Sequence, residues 1–169
     1  MQNAHIHSVV PEDLQRLKAL TEGMGHAKDP DYFERNLADA QAGGRILFIL
    51  QEKKKDAGYV ILNWRPRYGF FRAHDIPEIQ DLNILPDFRR KGYATRLIKH
   101  CEDLAKQKKY ERMGISFGLH AAYGAAQKLY VKLGYAPDGF GVTYDRKPVL
   151  SGELRPVDDN LCLMMVKNL

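Results

Sequence analysis

The sequence predicts a mixed α/β domain built around one central sheet of about seven strands, with helices on both faces. Three observations support this class. Short apolar stretches of strand-like composition recur along the chain, segments with helical apolar spacing lie between them, and glycine or proline separates most of these segments. The predicted order is β-α-α-β-β-β-α-β-α-β-β, without internal repeats or low-complexity linkers. We therefore expect a single domain over residues 1–169.

The first half of this order contains two helices, preceded by a short strand and followed by a hairpin. Residues 11–23 have Pro11 near their start, leucines at helical spacing and Gly23 at their end, which is typical of a helix. Residues 29–44 are a second predicted helix, ended by two glycines. Strands are predicted for residues 5–10, 45–52 and 57–64, with a polar hairpin turn at 53–56.

The second half contains a strand that leads into a helix through a basic turn. A loop rich in arginine and aromatic residues, 65–77, precedes that strand. The apolar residues of the helix fall at helical spacing and predict one buried face: Leu97, Ile98, Cys101, Leu104 and Ala105. The remaining predicted elements are strands at 78–85, 112–119, 141–145 and 161–168 and a helix at 121–134.

The composition is that of a globular protein with an uneven distribution of charge. Hydrophobic residues make up 44% and charged residues 28% of the chain, which excludes a disordered protein. Residues 61–112 contain 12 Lys/Arg and 7 Asp/Glu, whereas the rest contains 14 of each, so the net charge of +5 lies in this region. Such a region indicates a phosphate-bearing partner or, with equal weight, a solvated basic face.

The sequence gives no indication of export, membrane insertion or metal binding. It has no signal-peptide pattern and no apolar stretch near the ~20 residues that span a membrane. Cys101 and Cys162 have no paired spacing, and the six histidines have no metal-ligand spacing. We therefore expect a cytoplasmic protein without disulfides, bound metal or membrane contact.

The stretch ILPDFRRKGYATRLIKH predicts an anion-binding helix start. The first N–H groups of a helix lack partners, and the helix dipole is positive there. Gly92 would let a phosphate approach the backbone closely, and Arg89, Arg90 and Lys91 would add positive charge. The stretch is neither a P-loop nor a Gly-x-Gly-x-x-Gly motif. The residues favour a diphosphate site, with an ordinary helix start beside a basic surface as the alternative.

RRKGYA resembles the Arg/Gln-x-x-Gly-x-Gly/Ala motif of the GNAT superfamily of acyl-CoA-dependent N-acetyltransferases, with Arg89, Gly92 and Ala94 at the defining positions. AAYGAAQKLYVKLGY is similar to the second motif of that family, and the order of elements is similar too. The resemblance is strong from Glu78 to Tyr135 and covers most of the chain. It implies one N-acetyltransferase domain.

The resemblance implies acetyl-CoA as co-substrate and no metal. In this family two neighbouring strands separate, and the pantetheine arm of acetyl-CoA lies in the gap against backbone groups. The diphosphate lies on the amides at the helix start. By motif position, the implied cofactor-binding residues are Leu82, Asn83, Ile84, Arg89, Arg90, Lys91, Gly92, Tyr93, Ala94, Thr95, Tyr123 and Ala126. Tyr123 departs from the family, which usually has asparagine there, so it is expected to shape the pocket.

The resemblance also assigns two catalytic residues. A lysine-like amine has a pKa near ~10.4, so it must lose a proton before it attacks, and the departing thiolate benefits from gaining one. Tyr130 occupies the usual position of the acid. Glu78 occupies the position of the glutamate base in histone-acetylating members, and His120 or a water molecule is the alternative base.

Strand alternation predicts which carboxylate faces the site. Regular alternation places Glu78, Gln80, Leu82 and Ile84 on one face of their strand. A glutamate partly buried there would have a pKa shifted toward neutrality. Asp81 is expected on the other face and is the weaker candidate.

The acceptor is predicted only as a primary amine of a small molecule or peptide. The loop at 65–77, with Trp64 before it, contains Tyr68, Phe70 and Phe71 among arginines, which favours an acceptor that also carries a carboxylate or phosphate. Packing of these aromatics into the core is the equal alternative. A non-catalytic acyl-CoA sensor and a basic nucleic-acid-binding module are the other functions considered, and the second motif argues against nucleic acid. A homodimer and acyl groups other than acetyl are left open.

Overall fold

The computed structural model describes residues 4–25 and 28–169. These residues contain eight strands and five α-helices. The strands are β1 (Ala4–Ser8), β2 (Arg45–Glu52), β3 (Lys55–Asn63), β4 (Glu78–Ile84), β5 (Arg112–Gly118), β6 (Ala136–Tyr144), β7 (Lys147–Pro148) and β8 (Leu161–Asn168). The helices are α1 (Leu14–Met24), α2 (Tyr32–Gln41), α3 (Gly69–Ala73), α4 (Tyr93–Gln107) and α5 (Gly124–Lys132).

The chain divides into two compact units. The first unit is Met1–Trp64 with Gln80–Cys101, and the second unit is Arg65–Ile79 with Glu102–Leu169. The strand order is β1-β2-β3-β4 in the first unit and β4-β5-β8-β6-β7 in the second, because β4 has residues in both. The β4–β5 pairing is parallel, while β1–β2, β2–β3, β5–β8, β6–β8 and β6–β7 are antiparallel. The mixed α/β prediction is confirmed, with eight strands in place of about seven. The single domain stays a prediction.

In the first unit, helices cover both faces of β2. Leu17 and Phe33, from α1 and α2, belong to one buried cluster with Leu47 and Ile49 of β2. Phe48 lies between those two strand residues, and its ring meets the His100 ring of α4 edge-on at 4.6 Å. Successive strand residues point to opposite faces. Therefore α4 lies on the face of β2 opposite to α1 and α2, as the sequence predicts.

In the second unit, the core contains the aromatic residues of the predicted loop at 65–77. Tyr68 and Phe71 are buried with Ile76 and Met164. A Cβ added to Gly114 of β5 would lie 2.3 Å from the Phe71 ring, so this ring packs directly on the β5 backbone. Residues 69–73 form α3, which buries Phe71, so the prediction of a continuous loop at 65–77 is wrong. For Tyr68 and Phe71, core packing is the correct alternative.

Several element boundaries differ from the predicted ones for local reasons. Helix α1 runs through Gly23 and stops at Gly25, whose φ of 70° supplies the left-handed conformation of a helix end. Residues 121–123 form a 3₁₀ turn before α5, and Gly134 has a φ of 92° after it. No helix within 4–25 and 28–169 has the length and apolar character needed to cross a membrane.

Candidate active site

The predicted diphosphate loop connects β4 to α4 in the first unit. A 3₁₀ turn at Pro86–Phe88 follows the strand. Arg90 and Gly92 both have left-handed backbone conformations, with φ values of 59° and 80°. The amide of Arg96 donates to the carbonyl of Gly92 at 3.0 Å, which closes the first turn of α4. Residues with left-handed φ interspersed in such a turn direct successive N–H groups to one side, a geometry that binds anions.

Two cationic side chains of this loop, Arg89 and Lys91, are engaged by protein groups. Arg89 Nε donates to the carbonyl of Ile84 at 3.0 Å, whereas Arg90 is exposed. Lys91 Nζ and the Tyr93 hydroxyl both donate to the carboxylate of Glu52, at 3.0 Å and 2.5 Å. These two hydrogen bonds lower the pKa of Glu52. Lys91 is thus paired with a carboxylate of β2, and its predicted contact with phosphate stays a prediction.

The backbone of β4 changes conformation at Asp81. Its φ of 47° lies in the left-handed region, which is uncommon for a residue other than glycine. The prediction of one alternating face through Glu78, Gln80, Leu82 and Ile84 is therefore wrong, because the left-handed residue interrupts the alternation.

The carboxylate of Asp81 accepts four hydrogen bonds from described residues of the first unit. The hydroxyls of Tyr32 and Tyr59 each donate to Oδ2 at 2.8 Å. Asn83 Nδ2 donates to Oδ1 at 2.8 Å, and Lys28 Nζ lies 2.7 Å from the same oxygen. Burial, and then the negative charge of Asp81, raise the pKa of both phenols far above the ordinary value. Asp81, the weaker candidate in the sequence, is thus the centre of a polar cluster.

Glu78 occupies a different environment in the second unit. Its side chain is fully buried, more than the partial burial expected. Arg146 Nη1 lies 2.6 Å from Glu78 Oε1 and also donates to Ser116 Oγ at 2.9 Å. Glu78 is therefore an ion-paired carboxylate, and its role as a base stays a prediction.

The predicted acid, Tyr130, lies on α5 in the second unit. Its side chain is buried, with ring centroids of Phe117 and Tyr135 at 6.2 Å and 6.3 Å. Burial raises the pKa of Tyr130 to about 12. The phenol therefore keeps its proton at neutral pH, which a proton donor requires.

Tyr123 and His120 share one carboxylate. The Tyr123 hydroxyl donates to Asp159 Oδ1 at 3.0 Å, and His120 Nε2 lies 2.8 Å from the same oxygen. A Cβ on Gly118 would lie 2.4 Å from the Tyr123 ring, so this ring packs on the end of β5. Tyr123 is therefore both a packed ring and a hydrogen-bond donor. Ala126 is half-buried on α5.

Sequence reasoning missed the partners of these carboxylates. Lys28, Tyr59 and Arg146 are separated from their partners by 53, 22 and 68 residues, and no local pattern connects them. Within 4–25 and 28–169, the structure has no group of three or more His, Cys, Asp or Glu residues suited to a metal ion.

Residues 13–135 match the model of the acetyltransferase (GNAT) family. This match covers most of the chain, so the protein belongs to that family. Among curated proteins, the chain is 25% identical over 91 residues to the uncharacterized N-acetyltransferase YedL of Escherichia coli (strain K12). The match covers 54% of this chain, and the chain spans about half (52%) of the relative's length.

Solved structures share the fold at low sequence identity. The ribosomal-protein-S18-alanine N-acetyltransferase of Escherichia coli has a TM-score of 0.69 and 18% identity, covering 98% of this chain and 93% of that one. A GNAT family acetyltransferase from Elizabethkingia anophelis, with acetyl-CoA bound, has a TM-score of 0.63 and 18% identity, with both chains covered completely (100%). The ribosomal-protein-alanine N-acetyltransferase of Brucella melitensis has a TM-score of 0.71 and 16% identity, with coverages of 98% and 99%.

Proposed function

We propose that this protein transfers the acetyl group of acetyl-CoA directly to a primary amine of a small molecule or peptide. The observation that carries the proposal is the loop before α4, where Arg90 and Gly92 have left-handed conformations within the family's diphosphate motif. Family membership, the N-acetyltransferase name of the Escherichia coli relative and the acetyl-CoA bound to the Elizabethkingia anophelis protein support it.

The first unit would contribute backbone groups to acetyl-CoA. The amides from Arg90 to Thr95 would bind the diphosphate, since the start of a helix offers unpaired N–H groups and a positive dipole. The backbone of Leu82, Asn83 and Ile84 would bind the pantetheine arm. The Asn83 side chain donates to Asp81, so the proposed contact of this residue is through its main chain.

Tyr130 is the proposed acid. In the reaction, the amine nitrogen forms a bond to the acetyl carbon, the carbon–sulfur bond breaks, and the amine loses a proton. Tyr130 would give its phenolic proton to the departing thiolate, since a tyrosine phenol is protonated at neutral pH. The proton acceptor is Glu78, with His120 or a water molecule as the alternative.

Binding of acetyl-CoA by the loop is tested with Gly92→Val and a matched control, Gly43→Val. Both glycines belong to the first unit, have φ values of 80° and 74°, and have no atom within 4 Å of an added Cβ. Both substitutions therefore impose similar backbone strain. Acetyl-CoA should raise the melting temperature of the wild type and of Gly43→Val, but not of Gly92→Val. A full shift in folded Gly92→Val contradicts the loop assignment.

Turnover is tested with Tyr130→Phe, which keeps the ring and removes the proton. Release of the CoA thiol is measured with a panel of primary amines. We expect turnover to fall roughly ten- to a thousandfold, with the shift caused by acetyl-CoA unchanged. Tyr144→Phe is the control, because its hydroxyl donates to Asp158 in the same unit. Acetyl-CoA binding by the wild type without turnover on any amine would instead identify an acyl-CoA sensor.

A further inference from the structure

The carboxylate of Asp81 holds one ammonium group within the first unit. Lys28 Nζ lies 2.7 Å from Oδ1. Among the described residues, Lys28 is the cation within ion-pair distance of Asp81. The same nitrogen lies 4.9 Å from the centroid of the Tyr32 ring. A carboxylate together with an aromatic face recognises an alkylammonium through charge, N–H donation and cation–π attraction.

Neutral groups hold this carboxylate in place independently of the lysine. The hydroxyls of Tyr32 and Tyr59 bind Oδ2, while Asn83 binds Oδ1. The Tyr59 ring is itself fixed by an edge-on contact with Phe33 at 5.5 Å. The Asp81 side chain is 12% exposed and that of Lys28 28% exposed. The site is therefore rigid on the carboxylate side and partly open on the ammonium side.

The backbone gives a second, independent reason to regard Asp81 as functional. A left-handed conformation of a non-glycine residue within a strand is strained and persists where the surroundings enforce it. Asp81 has this conformation, with a φ of 47°. It directly precedes Leu82, the first of the backbone positions proposed above to bind acetyl-CoA. The unusual conformation thus presents a carboxylate next to the segment proposed to bind the pantetheine arm.

We propose that Asp81, with Tyr32 and Tyr59, binds the primary ammonium of the acceptor, and that Lys28 is a tethered stand-in that the acceptor displaces. This inference rests on the proposed function. The end of a lysine side chain is an unbranched alkylammonium, so the chemical class is a linear primary alkylamine or a lysine side chain. Quaternary ammonium ions lack an N–H group that could donate a hydrogen bond to Asp81.

The inference is tested by chemical rescue of Lys28→Ala. This substitution removes three carbons and the ammonium, which n-propylammonium matches. We expect n-propylammonium chloride to raise the melting temperature of Lys28→Ala in a saturable way, beyond its effect on the wild type. Tetramethylammonium chloride and sodium propionate at equal ionic strength should not. Lys18→Ala, which removes a lysine paired with Glu34 in the same unit, should show no rescue.

The double variant Lys28→Ala with Asp81→Asn identifies the carboxylate. Asparagine tolerates the left-handed conformation, so this change removes charge without added backbone strain. Rescue should disappear. Absence of rescue in Lys28→Ala, or equal rescue in the double variant, overturns the inference. These outcomes are separate from turnover. Rescue without acetyl transfer would support the ammonium site and contradict the proposed function. Acetyl transfer without rescue would support the proposed function and contradict the ammonium site.

A second measurement uses the wild-type chain and so does not depend on the folding of a variant. An amine-reactive acetyl ester labels lysines, and mass spectrometry gives the ratio of Lys28 to Lys18 labelling. n-Propylammonium should increase this ratio by releasing Lys28 from Asp81, and the ratio corrects for ester consumed by the amine. An unchanged ratio at saturating n-propylammonium would overturn the displacement.

Discussion

The two carboxylates of β4, one buried and one partly buried, are neutralised in different ways. Glu78, in the second unit, lies 2.6 Å from the guanidinium of Arg146. Asp81, in the first unit, is surrounded by two phenols and an amide, and its cation is the lysine Lys28. The Glu78 side chain is 1% exposed, and that of Asp81 12%. The first carboxylate is thus paired with a guanidinium, and the second accepts three neutral hydrogen bonds beside its ammonium.

The origin of each cation explains this difference. Arg146 lies in the tight turn between β6 and β7, where it and Asp145 have φ values of 66° and 46°. The hairpin therefore fixes the backbone of Arg146, and its guanidinium is held by Glu78 and Ser116. Lys28 reaches Asp81 through a flexible four-carbon side chain, and neutral donors remain if it leaves. A guanidinium that also donates to Ser116 is held by two partners, whereas a tethered ammonium suits an exchangeable ion pair.

The largest expected change in unfolding free energy is that of Arg146→Met, which removes the guanidinium. This substitution leaves Glu78 as a buried carboxylate without its cation, which typically costs about 3–5 kcal/mol of unfolding free energy. Adding Glu78→Gln should recover much of that loss, because no charge then remains buried. The measurement is urea denaturation of the single and double variants.

The matched control for Arg146 is Arg67→Met in the same unit. Arg67 lies 3.6 Å from Asp145, but both side chains are more than half exposed. Its loss should cost less than about 1 kcal/mol, as for surface pairs. If Arg146→Met destabilises the Glu78→Gln variant as much as it destabilises the wild type, the ion pair with Glu78 is not the cause of the loss.

A smaller effect is expected from Tyr59→Phe, which removes one neutral donor from Asp81. Hydrogen bonds to charged groups contribute about 1.5–3 kcal/mol, so the substitution should lower the unfolding free energy by about that amount. Tyr144→Phe is the control, since its hydroxyl donates to Asp158 over the same 2.8 Å in a less buried position. A loss below that of the control would mean that Lys28, not the phenols, holds the Asp81 charge.

The turn before α4 was predictable because its determinants are local. The turn after β4, the left-handed Gly92 and the helix start lie within a few residues of each other, and the family motif records all three. The hairpin of β2 and β3 was predictable for the same reason, with its turn at Lys53 and Lys54. Chain neighbours alone determine such features.

The two carboxylate clusters were not predictable in the same way. Regular alternation would place Asp81 away from the site, and only the backbone shows that its φ breaks the pattern. The partners of Asp81 come from α2, β3 and the segment before α2, and the partner of Glu78 comes from a hairpin turn. Two-residue β7 and five-residue α3 are also too short to show a periodicity.

The smallest expected effect is on stability at alkaline pH. Burial and the Asp81 charge raise the pKa of Tyr59 above its unfolded value of ~10. The stability from the protonated phenol is therefore complete below that pH and is lost as the pH rises above it, by about 1.4 kcal/mol per pH unit. Tyr59→Phe cannot ionise, so the stability gap between wild type and variant should narrow by about 1.4 kcal/mol from pH ~9 to pH ~11. Urea denaturation at both pH values measures the gap. A constant gap would mean that Tyr59 ionises as readily in the folded chain as in the unfolded one.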